Sequence, residues 1–332
     1  MSRGFEALSE SIKPHQAPSI SPVRRRILCA TDLTPRGDRA VQRAALLAKQ
    51  TNAEVLFVHI VDDRQPERVV NLKANRARLR LTLQAERTMG QSFEQARVEI
   101  HLGKKLKVIA DLAREWSADL IVLAAPIQRR YEKFFGTTAE RIIRAAQCPV
   151  LIVQREPLAS YSEIALATDL SSASLRAARA VAKMGIVDGA FTWVVHALEL
   201  PLERFGETAR QRETRQASWE QLVRVRLTPD LEDAGFDLSR VKVLVQPARP
   251  LDAIEHILEN VQPELLVIGT SRWFMLKRML QSSVAHQVLS RATCDILAVP
   301  ARALERPNRS KTVSPGWTAA SASRESASPV HI

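Results

Sequence analysis

Residues 24–33 read RRRILCATDL, and residues 161–170 read YSEIALATDL. The shared ATDL is the first of several matched stretches. VLFVHIV (55–61) parallels FTWVVHAL (191–198). LKVIADLAREWSADLIVLAA (106–125) aligns without a gap to LDAIEHILENVQPELLVIGT (251–270). FGTTAERIIRAAQCPVLIV (135–153) does the same with QSSVAHQVLSRATCDILAV (281–299). A repeat of about 140 residues fixes the architecture before any single element is read, because each copy must be one structural unit.

Within each unit, short apolar runs alternate with helical patterns. ILCAT, VLFVHIV, ARVEIHL, LIVLAA and VLIV are strand-sized and apolar on both faces, as strands covered by helices are. Between them, DRAVQRAALLAKQ aligns Ala40, Ala44, Leu47 and Ala48 on one face, and LKVIADLAREW aligns Leu106, Ile109, Leu112 and Ala113. AERIIRAAQ and its copy AHQVLSRA give a further helix. A long polar helix is expected over about 66–95 and again over about 206–235, where Pro229 is expected to break it. This alternation predicts an α/β fold: two tandem doubly wound, Rossmann-like domains, each a five-stranded parallel sheet with helices on both faces. The expected boundaries are 24–155 and 161–301, joined by a short linker around REPLASYSE (155–163). Residues 1–23 and 302–332 are rich in Ser, Pro and Arg and read as disordered tails, with a local staple at Trp317.

Composition narrows the classes. The 332 residues and 45% hydrophobic content suffice for two ordinary cores. No apolar run approaches the roughly 20 residues that span a bilayer, and the N-terminus lacks the apolar stretch of a secretory signal. Cys29, Cys148 and Cys294 form an odd set without CxxC spacing, which suits a reducing cytoplasm rather than a disulfide framework or a zinc site. The net charge of +12 invites nucleic acid, yet part of it sits in the tails. Residues 1–26 and 301–332 each hold five Arg/Lys against two Glu. No basic run is interleaved with stacking aromatics, so a solvated basic surface is favoured over a nucleic-acid partner.

In open parallel sheets, ligands settle at the carboxyl ends of the strands, where the strand order reverses. Each ATDL ends the first strand of its unit, so Asp32 and Asp169 face that crevice. A carboxylate there can accept hydrogen bonds from ribose hydroxyls, or it can brace the turn into the next helix, which Thr34 or Ser171 and Ser172 would open. Both readings stand at this point. After the fourth strand of unit two, Gly269 ends the strand and Ser282 and Ser283 open the last helix. In unit one Gly136, Thr137 and Thr138 hold that place. Free N–H groups at such a helix start can bind an anion, and TTAE (137–140) fits an ordinary capping box as well.

Taken together, these residues resemble the universal stress protein family in its tandem two-domain form. The resemblance covers 24–155 and 161–301 and rests on ATDL, on the helix after it, and on the GTTAERIIRAAQCPVLIV ending with its SSVAHQVLSRATCDILAV copy. It implies pairing of domains or subunits through the last strand, here Val150–Val153 and Ile296–Val299, so that the halves dock or the chain forms a homodimer. It also implies ATP as the candidate cofactor. Family members that bind ATP carry G-x-x-G, nine residues, then G-S/T. Unit two has Gly269 at the first place, Arg272 at the second, and Ser282 at the third before Ser283. Unit one has Leu123 or Ala124, then Pro126 or Ile127, and keeps only Gly136–Thr137. The motif is degenerate in both, and unit two is the better candidate, with Arg272 able to make a charge-assisted phosphate contact.

Other residues have plainer readings. His59, His196 and His101 lie at strand ends and are expected to be satisfied there. Cys148 and Cys294 are expected to pack in the core. RWFMLKRML (272–280) reads as a loop folded over the protein, or as a partner or membrane contact. The sequence thus predicts a non-enzymatic, cytoplasmic binding and signalling module. Its alternatives are a nucleotide-hydrolysing or nucleotidyl-transferring enzyme and a nucleic-acid-binding protein.

Overall fold

The apolar runs of each repeat become five strands. A computed structural model describes residues 24–125, 138–198, 208–270, 292–301 and 303. Its first half runs β1 (Arg26–Ala30), α1 (Pro35–Thr51), β2 (Glu54–Val61), α2 (Glu67–Met89), β3 (Ala96–Leu102), α3 (Lys105–Glu115), β4 (Leu120–Ala124), α4 (Thr138–Ala145) and β5 (Val150–Val153). The second half runs β6 (Glu163–Thr168), α5 (Ser172–Lys183), β7 (Phe191–Ala197), α6 (Ala209–Ala234), β8 (Val241–Gln246), α7 (Pro250–Asn260), β9 (Leu265–Thr270) and β10 (Asp295–Pro300). Gly136, Thr137, Arg272, Ser282, Ser283, Trp317, the 272–280 segment, residues 285–291 of the helix copy, and residues 1–23, 302 and 304–332 of the tails lie outside the described residues.

The two five-stranded sheets join into one. The strand order is β3-β2-β1-β4-β5-β10-β9-β6-β7-β8. Every pair within a half is parallel, and only the seam, β5 with β10, is antiparallel. In that seam Leu151 stands opposite Leu297, Val150 opposite Ala298, and Ile152 opposite Ile296. Leu151 and Leu297 are equivalent in the repeat, so the pairing is self-complementary about a local two-fold at those two leucines. Docking of the halves through their last strands is therefore internal to the chain.

Packing follows from strands that are apolar on both faces. One core lies on the side of α1, α2, α5 and α6 and runs unbroken across both halves, from Leu81 through Leu47 to Val181 and Leu227. The other lies on the side of α3, α4 and α7, around Ile109, Ile142, Ile152, Ile257 and Ile296. Ala40, Ala44, Leu47 and Ala48 are buried as their spacing requires. Cys148 and Cys294 are buried in the second core.

One expectation needs correction. Pro229 does not break α6, which continues to Ala234. Val223, Leu227 and Leu231 are buried on both sides of the proline and hold both segments on the sheet. The carbonyl that loses its partner belongs to Val225, on the exposed side of the helix, where water can serve it. The linker packs into the fold. Tyr161 is buried, and its hydroxyl donates to Asp295 Oδ2 at 2.7 Å. Asp295 Oδ1 accepts the Gln154 and Arg155 amides at 2.8 and 3.1 Å. Arg43 of α1 completes the cluster. Its Nε lies 3.3 Å from Asp295 Oδ2, its guanidinium stacks 3.9 Å from the Tyr161 ring centroid, and it donates to the Ala159 carbonyl at 2.7 Å. Burial, and then the Asp295 carboxylate beside it, push the Tyr161 phenol well above its usual pKa.

Candidate functional site

The ATDL turn has the same construction in both halves. Thr31 Oγ1 accepts the Leu33 amide at 3.1 Å, and Thr168 Oγ1 accepts the Leu170 amide at 3.1 Å. Asp32 Oδ1 accepts the Thr34 amide at 3.1 Å, and Asp169 Oδ1 accepts the Ser171 amide at 3.0 Å. Thr34 and Ser171 then cap α1 and α5 by accepting from Gly37 and Ser174. Three side chains within four residues thus satisfy the backbone that a strand gives up when it turns into a helix. The leucine bears the cost. Leu33 and Leu170 are left-handed, at φ 59° and 61°. A β-carbon there costs about 1–2 kcal/mol, and no glycine relieves it.

The histidines secure the same end of the sheet. His59 Nδ1 donates to the Thr31 carbonyl and His196 Nδ1 to the Thr168 carbonyl, each at 2.9 Å. A carbonyl can only accept, so Nδ1 carries the hydrogen in both. Burial, only partly offset by that bond, lowers the His59 pKa, and the Lys105 and Arg80 charges lower it further. His101 Nε2 sits 2.7 Å from Glu99 Oε2, and that bond holds the Glu99 carboxyl below its usual range.

Asp32 and Asp169 are exposed at the points where the strand order reverses, between β1 and β4 and between β6 and β9. Both carboxylates are engaged by the cap that follows them. Asp32 Oδ1 also accepts the Thr34 hydroxyl at 2.6 Å. Partial burial raises the pKa of Asp169, and the hydrogen bonds from Ser171 and Ser174 outweigh it, leaving a carboxylate more acidic than usual. Beside this second turn a recess opens between Thr168, Leu170, Ser174, Leu175, Leu227 and Asp230.

Gly269 has a packing role that the sequence did not reveal. A Cβ there would lie 2.5 Å from the Ala173 carbonyl oxygen and 2.9 Å from the Ser174 amide. The glycine lets the first turn of α5 close onto the end of β9. Gly37 does related work in the first half, where a Cβ would meet Thr31 Oγ1 at 2.5 Å and Asp32 Oδ1 at 2.6 Å. Asp32, Asp169 and Gly269 are thus placed at the carboxyl edge of the sheet. Gly136, Thr137, Arg272, Ser282 and Ser283 belong to the segments that are not described. The Arg43–Asp295–Tyr161 cluster escaped sequence reading, although Asp295 in the otherwise apolar CDILAV and Arg43 beside Ala40, Ala44 and Leu47 were its signals.

The model of the Universal stress protein family matches residues 24–154 and, a second time, 160–300. The chain belongs to this family. Universal stress protein A homolog 1 of Coxiella burnetii (strain RSA 493 / Nine Mile phase I) is 25% identical over 142 residues, which cover 39% of this chain and 95% of that one. The crystal structure of a universal stress protein from Archaeoglobus fulgidus DSM 4304 superposes with a TM-score of 0.56 at 14% identity, over 83% of this chain and 98% of that one. The functionally unknown protein PA1789 from Pseudomonas aeruginosa PAO1 gives 0.57 at 18% identity, over 84% and 93%. These two share the fold across both halves. Two universal stress protein domains in one chain support a role in the stress response. No described helix is long and apolar enough to cross a membrane.

Proposed function

We propose that this universal stress protein is a non-enzymatic, cytoplasmic binding and signalling module whose second half takes an adenine nucleotide, ATP, at the carboxyl ends of β6 and β9. The reading rests on the Thr168–Ser171 turn, a strained left-handed leucine held at the strand-order reversal, with the acidified Asp169 carboxylate exposed beside it. Asp169 would accept the ribose hydroxyls. Arg272, Ser282 and Ser283 would take the phosphates, as the family pattern orders them, with Arg272 supplying charge in place of a glycine. ATP bound there supplies a signal that depends on nucleotide level. The chain's own task is to hold and orient it.

The first half has a structural role in this reading. Of the phosphate pattern only Gly136–Thr137 survives there. The last-strand interface, which the family can use between subunits, is satisfied within the chain by β5 and β10. Cys29, Cys148 and Cys294, three buried cysteines without CxxC spacing, fit a reducing compartment.

The test is to denature the purified protein, identify what it releases, and follow phosphate release during incubation with ATP. An adenine nucleotide recovered in less than one equivalent per half, without turnover above buffer, is the expected result. Phosphate release that scales with protein and disappears in Asp169→Ala would make it an enzyme.

A further inference from the structure

Helix α2 is amphipathic twice. Its inner face buries Val70, Ala77, Leu81, Ala85 and Met89 against the sheet. On its outer face Val69, Leu72, Leu79 and Leu83 remain exposed, Leu72 at 51% and Leu79 at 65%. The core already has its stripe, so folding of this chain does not require the second one. The spacing of the outer stripe is regular. Val69, Leu72, Arg76, Leu79, Leu83 and Glu86 follow one another by three and four residues in turn, which is the seam of a helix that packs along another helix. Lys73, Arg80 and Arg87 recur every seventh residue along one flank of that seam, and all three are exposed.

We propose that the outer face of α2 is a docking surface for an amphipathic helix of a partner protein whose flanks are acidic. The charge pattern selects the occupant. A second copy laid on this seam would bring two sets of Lys73, Arg76, Arg80 and Arg87 together, and like charges along a seam repel. A lipid surface fits less well, because the stripe has no aromatic anchor and is interrupted at seam positions by Arg76 and Glu86. An acidic helix satisfies the leucines and the basic flank at once, and Arg76 within the seam fixes its register. The proposal is independent of the nucleotide reading. The corresponding helix of the second half, α6, exposes Trp219, Leu222 and Val225.

The test uses the full chain and a fluorescent three-heptad peptide with leucine at its seam positions and glutamate on its flanks. A lysine-flanked version and vesicles of phosphatidylglycerol serve as comparators. The acidic peptide is expected to bind and the lysine peptide to bind at least about tenfold more weakly. Leu72→Asn with Leu79→Asn is expected to weaken the acidic peptide about tenfold or more with an unchanged thermal midpoint. Lys73→Glu with Arg80→Glu is expected to reverse the preference toward the lysine peptide, which a merely unfolded variant would not do. No binding of the acidic peptide at about 100 μM, equal binding of both peptides, indifference to the seam substitutions, or binding of vesicles alone would each overturn the proposal.

Discussion

Arg43 of the first half and Asp295 of the second form a buried ion pair, with Arg43 Nε 3.3 Å from Asp295 Oδ2. The pair breaks the symmetry of the duplication. Pro149 stands where the repeat would place a second Asp295, and Ala180 where it would place a second Arg43. The β5–β10 seam is self-complementary and would by itself pair any two halves. The cluster of Arg43, Tyr161 and Asp295 exists once and includes the linker, so it favours the halves of one chain.

Removing one partner of a buried pair strands the other without its countercharge. Arg43→Met is expected to cost about 3–5 kcal/mol in chemical denaturation. Tyr161→Phe deletes one hydrogen bond to a charged group and is expected to cost about 1.5–3 kcal/mol. A loss below about 1 kcal/mol for Arg43→Met would show that the pair does not hold the halves together.

The two glycines of the turns should respond differently. At Gly269 the obstacle to a Cβ is the Ala173 backbone, which moves only with α5. Gly269→Ala is expected to cost about 1–3 kcal/mol. At Gly37 the nearest obstacles are the Thr31 and Asp32 side chains, with the Asp32 backbone nitrogen farther off at 3.2 Å, and Ser174 already occupies the matching place in the second half, bonded to Thr168 Oγ1 at 3.0 Å. Gly37→Ser is expected to cost less than Gly269→Ala when both midpoints are measured in one denaturant series.

His59 predicts a pH dependence of stability. Its folded pKa lies below the ordinary 6.5, so as pH falls the unfolded chain takes the proton first. The stabilisation from a neutral His59 is complete above about pH 6.5 and is lost as pH falls through the depressed folded value. Asn can still donate to the Thr31 carbonyl from the Nδ1 position and does not titrate. Denaturation midpoints at about pH 7.5 and about pH 5.5 should therefore differ less for His59→Asn than for the native chain. An equal difference would mean that other groups set the slope.

Much of this fold is legible in the chain because the repeat is written in periodic apolar residues. Strand and helix order, the buried stripe of α1, the caps at Thr34 and Ser171 and the packing of Cys148 and Cys294 all follow from local pattern. The turn itself is only half legible. ATD announces its hydrogen bonds, but Leu33 and Leu170 stand in a left-handed conformation that glycine or asparagine would have signalled. Pro229 misleads because local propensity yields to the tertiary burial of Val223, Leu227 and Leu231. The Arg43–Asp295 pair joins residues far apart in sequence, and no local period records such a pairing. The role of Gly269 depends on how closely α5 approaches β9, a distance between two elements rather than a property of either.

The most direct test of the nucleotide reading is a calorimetric titration of the full chain with ATP, alongside Asp32→Ala and Asp169→Ala. One site per chain, retained in Asp32→Ala and abolished in Asp169→Ala, is the predicted result. No heat at about millimolar ATP, or binding that survives in Asp169→Ala, would contradict it and leave a protein–protein module built on a nucleotide-binding fold.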